Sequence, residues 1–487
     1  MPLYENTKFR LPEDLYQYQV QDGDKVAQEG QNWLLCHEMG VGKTPITIGA
    51  IEKAGYKFPL IICPNSLRYE WARQIEEWTG QQSALSGTYY ASGGKMGDII
   101  GSLVGRNHKK YRIINYETLR VPYAADLLKA IPWDVVVFDE IHKLRNVKSY
   151  HLKKVVKGAW DLLDAIRSPK VVGISGSPIM NYPDDLYGPL ACVAPDRYPR
   201  TLAGLRNFMR KYMMYATGQY GSYAFGTRDI RSLKAETQDL IIRRTKKEVL
   251  SFLPDKYYQR PELEMQDDQR KVYNQMENEL KILLDTGEPL WSPGVLSTLT
   301  RLRQINLDPR ILGVSASSAK TEYLEDLVES TDEKIVVFSC FERYIDLLAT
   351  LFKDKNPAVI TGKIPVGEPT MPGTRQAEVK RFQEDENCRL FLGTVQCAGE
   401  GITLTAASTV VMADRWWNEP ANQQCVDRLH RIGQKSAVQV LLPIVSKSID
   451  AVLDAILQRK HEASQAYYEE NEVRESVFSS LGSSRAS

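Results

Sequence analysis

Residues 34–44 read LLCHEMGVGKT, three apolar residues followed by a polar run that closes on Gly-Val-Gly-Lys-Thr. The strict phosphate-loop pattern has a glycine where this chain has His37, so the pattern alone leaves the stretch undecided. Chemistry argues for phosphate. A short apolar strand over 33–36 runs into Gly40 and Gly42, whose backbones accept the angles that turn several N–H groups toward one anion. Pro45 suits a first helical turn, and the helix it opens, with Ile46, Ile48 and Ile51 on one side, aims its positive end at the loop. In this reading Met39, Gly40, Val41, Gly42, Lys43 and Thr44 bind a nucleotide. Lys43 reaches the β- and γ-phosphates and the Thr44 hydroxyl holds magnesium. A glycine turn ahead of an amphipathic helix is the competing reading, and the rest of the chain decides between them.

The chain has 487 residues, enough for two or three domains with full cores. No apolar run approaches the ~20 residues that span a bilayer, and the N-terminal residues carry acids without a signal-peptide core. An intracellular protein is expected, cytoplasmic in a bacterial or phage setting and nuclear in a eukaryotic one. Formal charge is only +1, so contact with nucleic acid has to come from local basic surfaces and backbone amides. The seven cysteines form no CxxC pair and read as small core residues, which argues against a zinc site or a disulfide framework.

Short β-branched runs ending in polar or glycine-rich turns occur in both halves. LLC (34–36), LIIC (60–63), RIIN (112–115), VVVF (135–138) and VVGIS (171–175) fill the first; IVVFS (335–339), AVIT (358–361), RLFLG (389–393), TVVMA (409–413) and VQVLLPIV (438–445) fill the second. Strands buried on both faces and separated by helical patterns predict parallel sheets in an α/β fold of two lobes. Residues 195–320 are charged, helical in pattern and poor in strands, as expected of helical insertions. The boundaries expected are 1–245 for the first lobe, 246–465 for the second and 466–487 for a polar, disordered tail.

A phosphate loop calls for an acidic site at the end of a buried strand. WDVVVFDEIH (133–142) supplies it, with Asp139 assigned to magnesium and Glu140 to the attacking water. Cations must also face the γ-phosphate from outside the loop. QQCVDRLHRIGQ (423–434) carries Arg428 and Arg431 three residues apart on one helical face, an arrangement suited to arginine fingers.

In order along the chain, these segments resemble the Swi/Snf-type branch of the superfamily 2 helicase-like DNA-dependent ATPases. LYQYQ (15–19) is similar to the adenine-reading Gln motif, with Gln19 as its glutamine. HEMGVGKT resembles the family's D-E-M-G-L-G-K-T, LIICPNSLRYEW (60–71) its first DNA-contacting motif, DEIH its D-E-A-H and GISGSPIMN (173–181) its T-G-T-P coupling motif. LIIRRTKKEVLSFLPDK (240–256), EKIVVFSCF (333–341), GTVQCAGEGITLTAA (393–407), DRWWN (414–418) and DRLHRIGQ complete the set. Departures are His37 for the usual acid, Ile141 for alanine, Ser175 and Ser177 for the two threonines, Glu400 for a glycine, and the proline of NEPANQ (418–423), offset from its usual place directly after asparagine.

The resemblance implies two RecA-like P-loop lobes with ATP and Mg2+ between them. It assigns coupling to His142, Ser175, Gly176, Ser177 and Gln424, and contact with double-stranded or forked DNA to Pro64, Asn65, Ser66, Tyr116, Thr394, Trp416 and Trp417. The basic runs 152–157 and 243–247 are further candidates for following a phosphate backbone, and residues 448–470 resemble a brace helix closing lobe two. The expectation is a monomeric ATP-driven duplex translocase outside the membrane. The motif set occupies nearly the whole sequence, so a protein partner or DNA structure is expected to target it. A strand-separating or annealing DNA or RNA helicase is the alternative motor. A catalytically silent scaffold is disfavoured because Lys43, Asp139, Glu140 and Arg431 are all present.

Overall fold

A computed structural model describes residues 15–85, 109–145, 154–166, 169–176, 183–218, 221–285, 293–398, 401–417, 419–454 and 457–458. The chain divides into two compact units, Met1–Phe252 and Leu253–Ser487.

Each unit is built on a wholly parallel sheet. The first has seven strands in the spatial order Ala84–Leu85, Arg112–Asn115, Pro59–Cys63, Val135–Asp139, Lys170–Ile174, Trp33–Leu35 and Ile241–Ile242. The second has six: Lys256–Gln259, Val438–Leu441, Thr409–Met412, Ile335–Ser339, Leu390–Thr394 and Ala358–Ile360. Central strands such as Val135–Asp139 and Ile335–Ser339 are buried at every position, as expected when helices cover both faces. The predicted α/β fold of two lobes is therefore the observed one. VQVLLPIV divides at Leu442-Pro443 into Val438–Leu441 and Ile444–Val445, because proline cannot donate to a ladder.

Parallel strands deliver their carboxyl ends to one edge. Leu35 and Asp139 both stand level with Ile174, so the loop after Leu35, the acidic pair at 139–140 and Ser175 emerge together. Such an edge is the usual ligand site of an open α/β sheet. In the second unit Ser339, Thr394 and Asp414 fall at or just beyond the corresponding ends.

The helical insertions are present as Leu202–Tyr212, Ile230–Thr237, Asp267–Asp285 and Pro293–Leu307. One correction concerns 212–227, read from sequence as part of a strand-poor region. Met213–Gly218 and Gly221–Thr227 pair antiparallel as a hairpin with a register shift between Met214 and Tyr215. The tail at 466–487, Ser177, Glu400 and most of the expected brace helix lie outside the described residues; Asp454 and Gln458 at its start hydrogen-bond one turn apart.

Candidate functional site

The helix Lys43–Lys53 starts directly from Gly42, which has φ 82° and ψ 41°; Gly40 has φ 78°. These left-handed angles are cheap only for glycine. At Gly42 a side chain would also collide with Gln19 Nε2. Gln19 is itself buried, donating to the Val41 carbonyl at 3.2 Å and accepting from Tyr16 N at 3.0 Å, while Tyr18 donates to the same Val41 carbonyl at 2.8 Å. Gln19 thus fixes the loop's shape from behind. The Lys43 ammonium folds across the loop onto the carbonyls of His37 and Glu38, both at 2.9 Å.

His37, the departure from the expected acid, has a structural role. Its Nε2 lies 3.0 Å from Asp22 Oδ2, and both side chains are fully enclosed. Arg244 grips the same carboxylate with Nε at 2.5 Å and Nη2 at 2.8 Å. Burial pushes the Asp22 carboxyl up, but hydrogen bonds from Arg244 and His37 outweigh it and bring it down to about 2. Burial lowers His37, against the pull of Asp22, so the imidazole is neutral. Lys246 N donates to Glu38 Oε2 at 2.7 Å, and Arg243 reaches the Cys36 carbonyl. Within the run 243–247 the Arg243 and Arg244 side chains and the Lys246 backbone N–H are thus engaged with residues 22–38, while Lys247 is exposed. In the run 152–157 Lys157 pairs with Asp161, Lys154 is exposed, and Leu152 and Lys153 lie outside the described residues.

At the neighbouring strand end, Asp139 accepts from Trp71 Nε1 at 2.7 Å and from Glu140 N at 2.9 Å. Desolvation and the Glu140 charge raise its carboxyl to about 7, against the lowering pull of Trp71 and of the Lys43 ammonium. Glu140 sits in the left-handed region at φ 54°, an uncommon state for a residue with a side chain. Its Oε2 is 3.1 Å from His142 Nδ1, which lies 3.2 Å from Ser175 Oγ. Beside Ser175, the hydrogen face of Gly176 touches the Met39 side chain, where a Cβ would clash. Glycine loop, acidic pair and Ser175-Gly176 turn are one connected surface. The Asp139 carboxylate and the Thr44 hydroxyl are the donors at this edge that suit a magnesium ion shared with phosphate oxygens; among the described residues no cluster of three or more His, Cys, Asp or Glu suited to a metal occurs.

In the second unit Arg431 Nη1 donates to the Ile402 carbonyl at 3.1 Å and to Thr403 Oγ1 at 3.0 Å. The helix Glu419–Val426 ends before them, so Arg428 and Arg431 stand in the turn beyond it and not on one helical face as the sequence suggested; Arg428 and Gln424 are largely buried, and Gln434 ties the turn down through the carbonyls of Ala407 and Leu429.

Of the residues assigned to DNA, Pro64 and Ser66 are buried and Asn65 is half-buried, with Asn65 Oδ1 accepting from Asn115. Tyr116 is a correction: its ring is buried in the first unit's core and its hydroxyl donates to the Asp139 carbonyl at 2.8 Å, so it supports the acidic strand end. Thr394 is buried, Trp416 packs partly on the second core, and Trp417 lies over Arg303 at 5.3 Å. Trp71, which closes the segment 60–71, is a partner of Asp139 that the sequence reading does not identify. Its signal was an indole N–H on a buried face, which requires an acceptor.

The SNF2-related domain model matches residues 18–311, and the Helicase conserved C-terminal domain model matches 319–433. The chain belongs to the SNF2-related family of helicase-like ATPases. It is 26% identical to the mouse (Mus musculus) protein called DNA annealing helicase and endonuclease ZRANB3, over 88% of this chain and 38% of that protein. It is 28% identical to the Xenopus tropicalis SWI/SNF-related matrix-associated actin-dependent regulator of chromatin subfamily A-like protein 1, over 89% of this chain and 43% of that protein. The chain thus spans about two fifths of the length of these curated relatives. The Sulfolobus solfataricus SWI2/SNF2 ATPase core in complex with dsDNA aligns over 98% of both chains at 23% identity and a TM-score of 0.42, which leaves the fold to rest on the sheets described above. Among the described residues no helix is long and apolar enough to cross a membrane.

Proposed function

We propose that this SNF2-family chain hydrolyses ATP with Mg2+ and uses the turnover to move along duplex DNA. The observation that carries the reading is the meeting, on one sheet edge, of the Lys43 loop with Asp139, Glu140, His142 and Ser175. Lys43 leaves the His37 and Glu38 carbonyls for the β- and γ-phosphates. Thr44 and Asp139 hold the metal, and Glu140, kept in place by His142, orients the attacking water. Magnesium supplies neutralisation of charge on the phosphate oxygens. Arg428 and Arg431 complete the charge around the γ-phosphate when the two units close on the nucleotide, and DNA binding that favours closure accelerates turnover. Pro64, Asn65, Ser66, Thr394, Trp416 and Trp417 remain the proposed DNA contacts, and Ser177 and Gln424 belong with the coupling residues.

Lys43→Ala and Glu140→Gln separate binding from chemistry. The first is expected to lose turnover with the fold intact, and the second to bind ATP with magnesium while turning over very slowly. Near-normal hydrolysis by folded Lys43→Ala sinks the assignment. A second reading, rewinding of complementary strands, is favoured by the name of the mouse relative, a DNA annealing helicase. ATP-dependent displacement of a triplex third strand supports translocation, whereas strand rewinding without it supports annealing.

A further inference from the structure

The strand through which the chain enters the second unit is cross-linked to the segment that carries Arg431. The unit begins at Leu253, and Lys256–Gln259 is the outermost strand of its sheet, laddered on one side to Val438–Leu441. Three contacts at alternate positions join this entry segment to the helix Glu419–Val426 and the turn beyond it. Tyr258 OH donates to Gln423 Oε1 at 2.9 Å, Lys256 Nζ lies 3.2 Å from Asp427 Oδ1, and His430 Nε2 is 2.6 Å from the Pro254 carbonyl. A carbonyl only accepts, so His430 carries its proton on Nε2. Lys256 and Tyr258 present their side chains on one face of the strand, as alternation requires, and Pro254, just ahead of it, joins through its backbone carbonyl. As positions fall from 258 to 256 to 254, their partners rise from 423 to 427 to 430, and Arg431 is the next residue.

Plain fold support explains this poorly. Lys256 and Asp427 keep 25% and 13% of their side-chain surface in water, and partly hydrated pairs add little to stability. What the contacts do define is the position of the Arg431 backbone relative to the chain's point of entry. We propose that Lys256, Asp427 and His430 are positioning residues that set Arg431 for catalysis, so that any displacement of the chain at Phe252-Leu253 reaches the finger through this clamp. The proposal rests on the reading of Arg431 as the residue facing the γ-phosphate. Displacement of a catalytic group by about 1 Å can cost on the order of 100-fold in rate, so weak contacts suffice for a large kinetic effect.

The experiment measures steady-state ATP hydrolysis with saturating duplex DNA, together with the melting temperature, for Lys256→Met, Asp427→Asn, His430→Gln and the exchange Lys256→Asp with Asp427→Lys. Each single variant is expected to lower kcat by about tenfold to 100-fold, with KM for ATP within about twofold and melting little changed. The exchanged pair is expected to regain most of the lost kcat. Added to Arg431→Ala, a clamp variant is expected to cause no further loss, because residues acting through one group are not additive. Unchanged kcat in the clamp variants beside a crippled Arg431→Ala overturns the clamp alone, as does a full additional loss in the Arg431→Ala background. Normal turnover by Arg431→Ala removes the finger reading, and the clamp's purpose with it.

Discussion

Two arginines, Arg244 in the first unit and Arg431 in the second, are held by opposite means. In the first, Arg244 spends its guanidinium on a carboxylate with no exposure to water, and that carboxylate also contacts the fully buried His37. In the second, Asp427 near Arg431 pairs with Lys256, and the Arg431 guanidinium meets a carbonyl and a hydroxyl. Two arginines in family-like motifs thus differ in kind. A two-point ion pair onto a fully enclosed carboxylate holds its neighbours in place; a guanidinium whose contacts include a carbonyl and a hydroxyl gains by exchanging those two for a phosphate, since charge-assisted bonds are about twice as strong as neutral ones. Arg244 belongs to a preformed scaffold, whereas Arg431, like Lys43 of the first unit, rests its charge on groups that a phosphate can replace.

The contrast predicts its largest stability effect at Asp22. Asp22→Ala strands a guanidinium and an imidazole behind the phosphate loop and is expected to cost about 3–5 kcal/mol in denaturant unfolding. A loss below ~1 kcal/mol would make the triad no different from a surface pair.

Acid should dissect the same triad. The Asp22 carboxyl, held at about 2, contributes fully above the ordinary aspartate value near ~4 and loses its contribution of ~2–3 kcal/mol as pH falls toward 2. His37 is lowered, so below ~6.5 the unfolded chain takes up its proton first and stability starts to fall earlier. Unfolding free energy measured against pH should therefore decline in two stages. His37→Gln is expected to remove the upper stage only, and an unchanged upper stage assigns it to other groups.

Third in size is Trp71→Phe, which keeps the ring and deletes the donor to Asp139. Groups that orient a metal ligand are worth ~10-fold or more in affinity or activity. A rise of about that size in the magnesium concentration for half-maximal turnover, and in that for tight Mg-nucleotide binding, is expected; equal requirements in both proteins would leave Trp71 as core packing. The smallest stability effect belongs to Lys256→Met, below ~1 kcal/mol.

Most of the fold was legible because parallel strands are short, apolar and β-branched at every position: RIIN and IVVFS match their strands residue for residue. The acidic pair was legible because its strand ends on it. The hairpin at 213–227 was not, since glycines and mixed aromatics there suggest loop as strongly as strand. Nor was the Asp22, His37 and Arg244 triad, whose members are scattered over more than two hundred residues and meet only once the strand Ile241–Ile242 lies beside Trp33–Leu35. Tyr116 was misassigned because a motif reports where a residue falls along the chain, whereas its side chain points inward to the Asp139 carbonyl.

ATP hydrolysis with and without duplex DNA in wild type and Arg431→Ala tests most directly whether Arg431 is the charge that DNA binding recruits to the γ-phosphate. Arg431→Ala is expected still to bind nucleotide and DNA, yet to lose DNA-stimulated turnover by on the order of 10³ or more. Acceleration of Arg431→Ala by DNA to the same factor as wild type would contradict it.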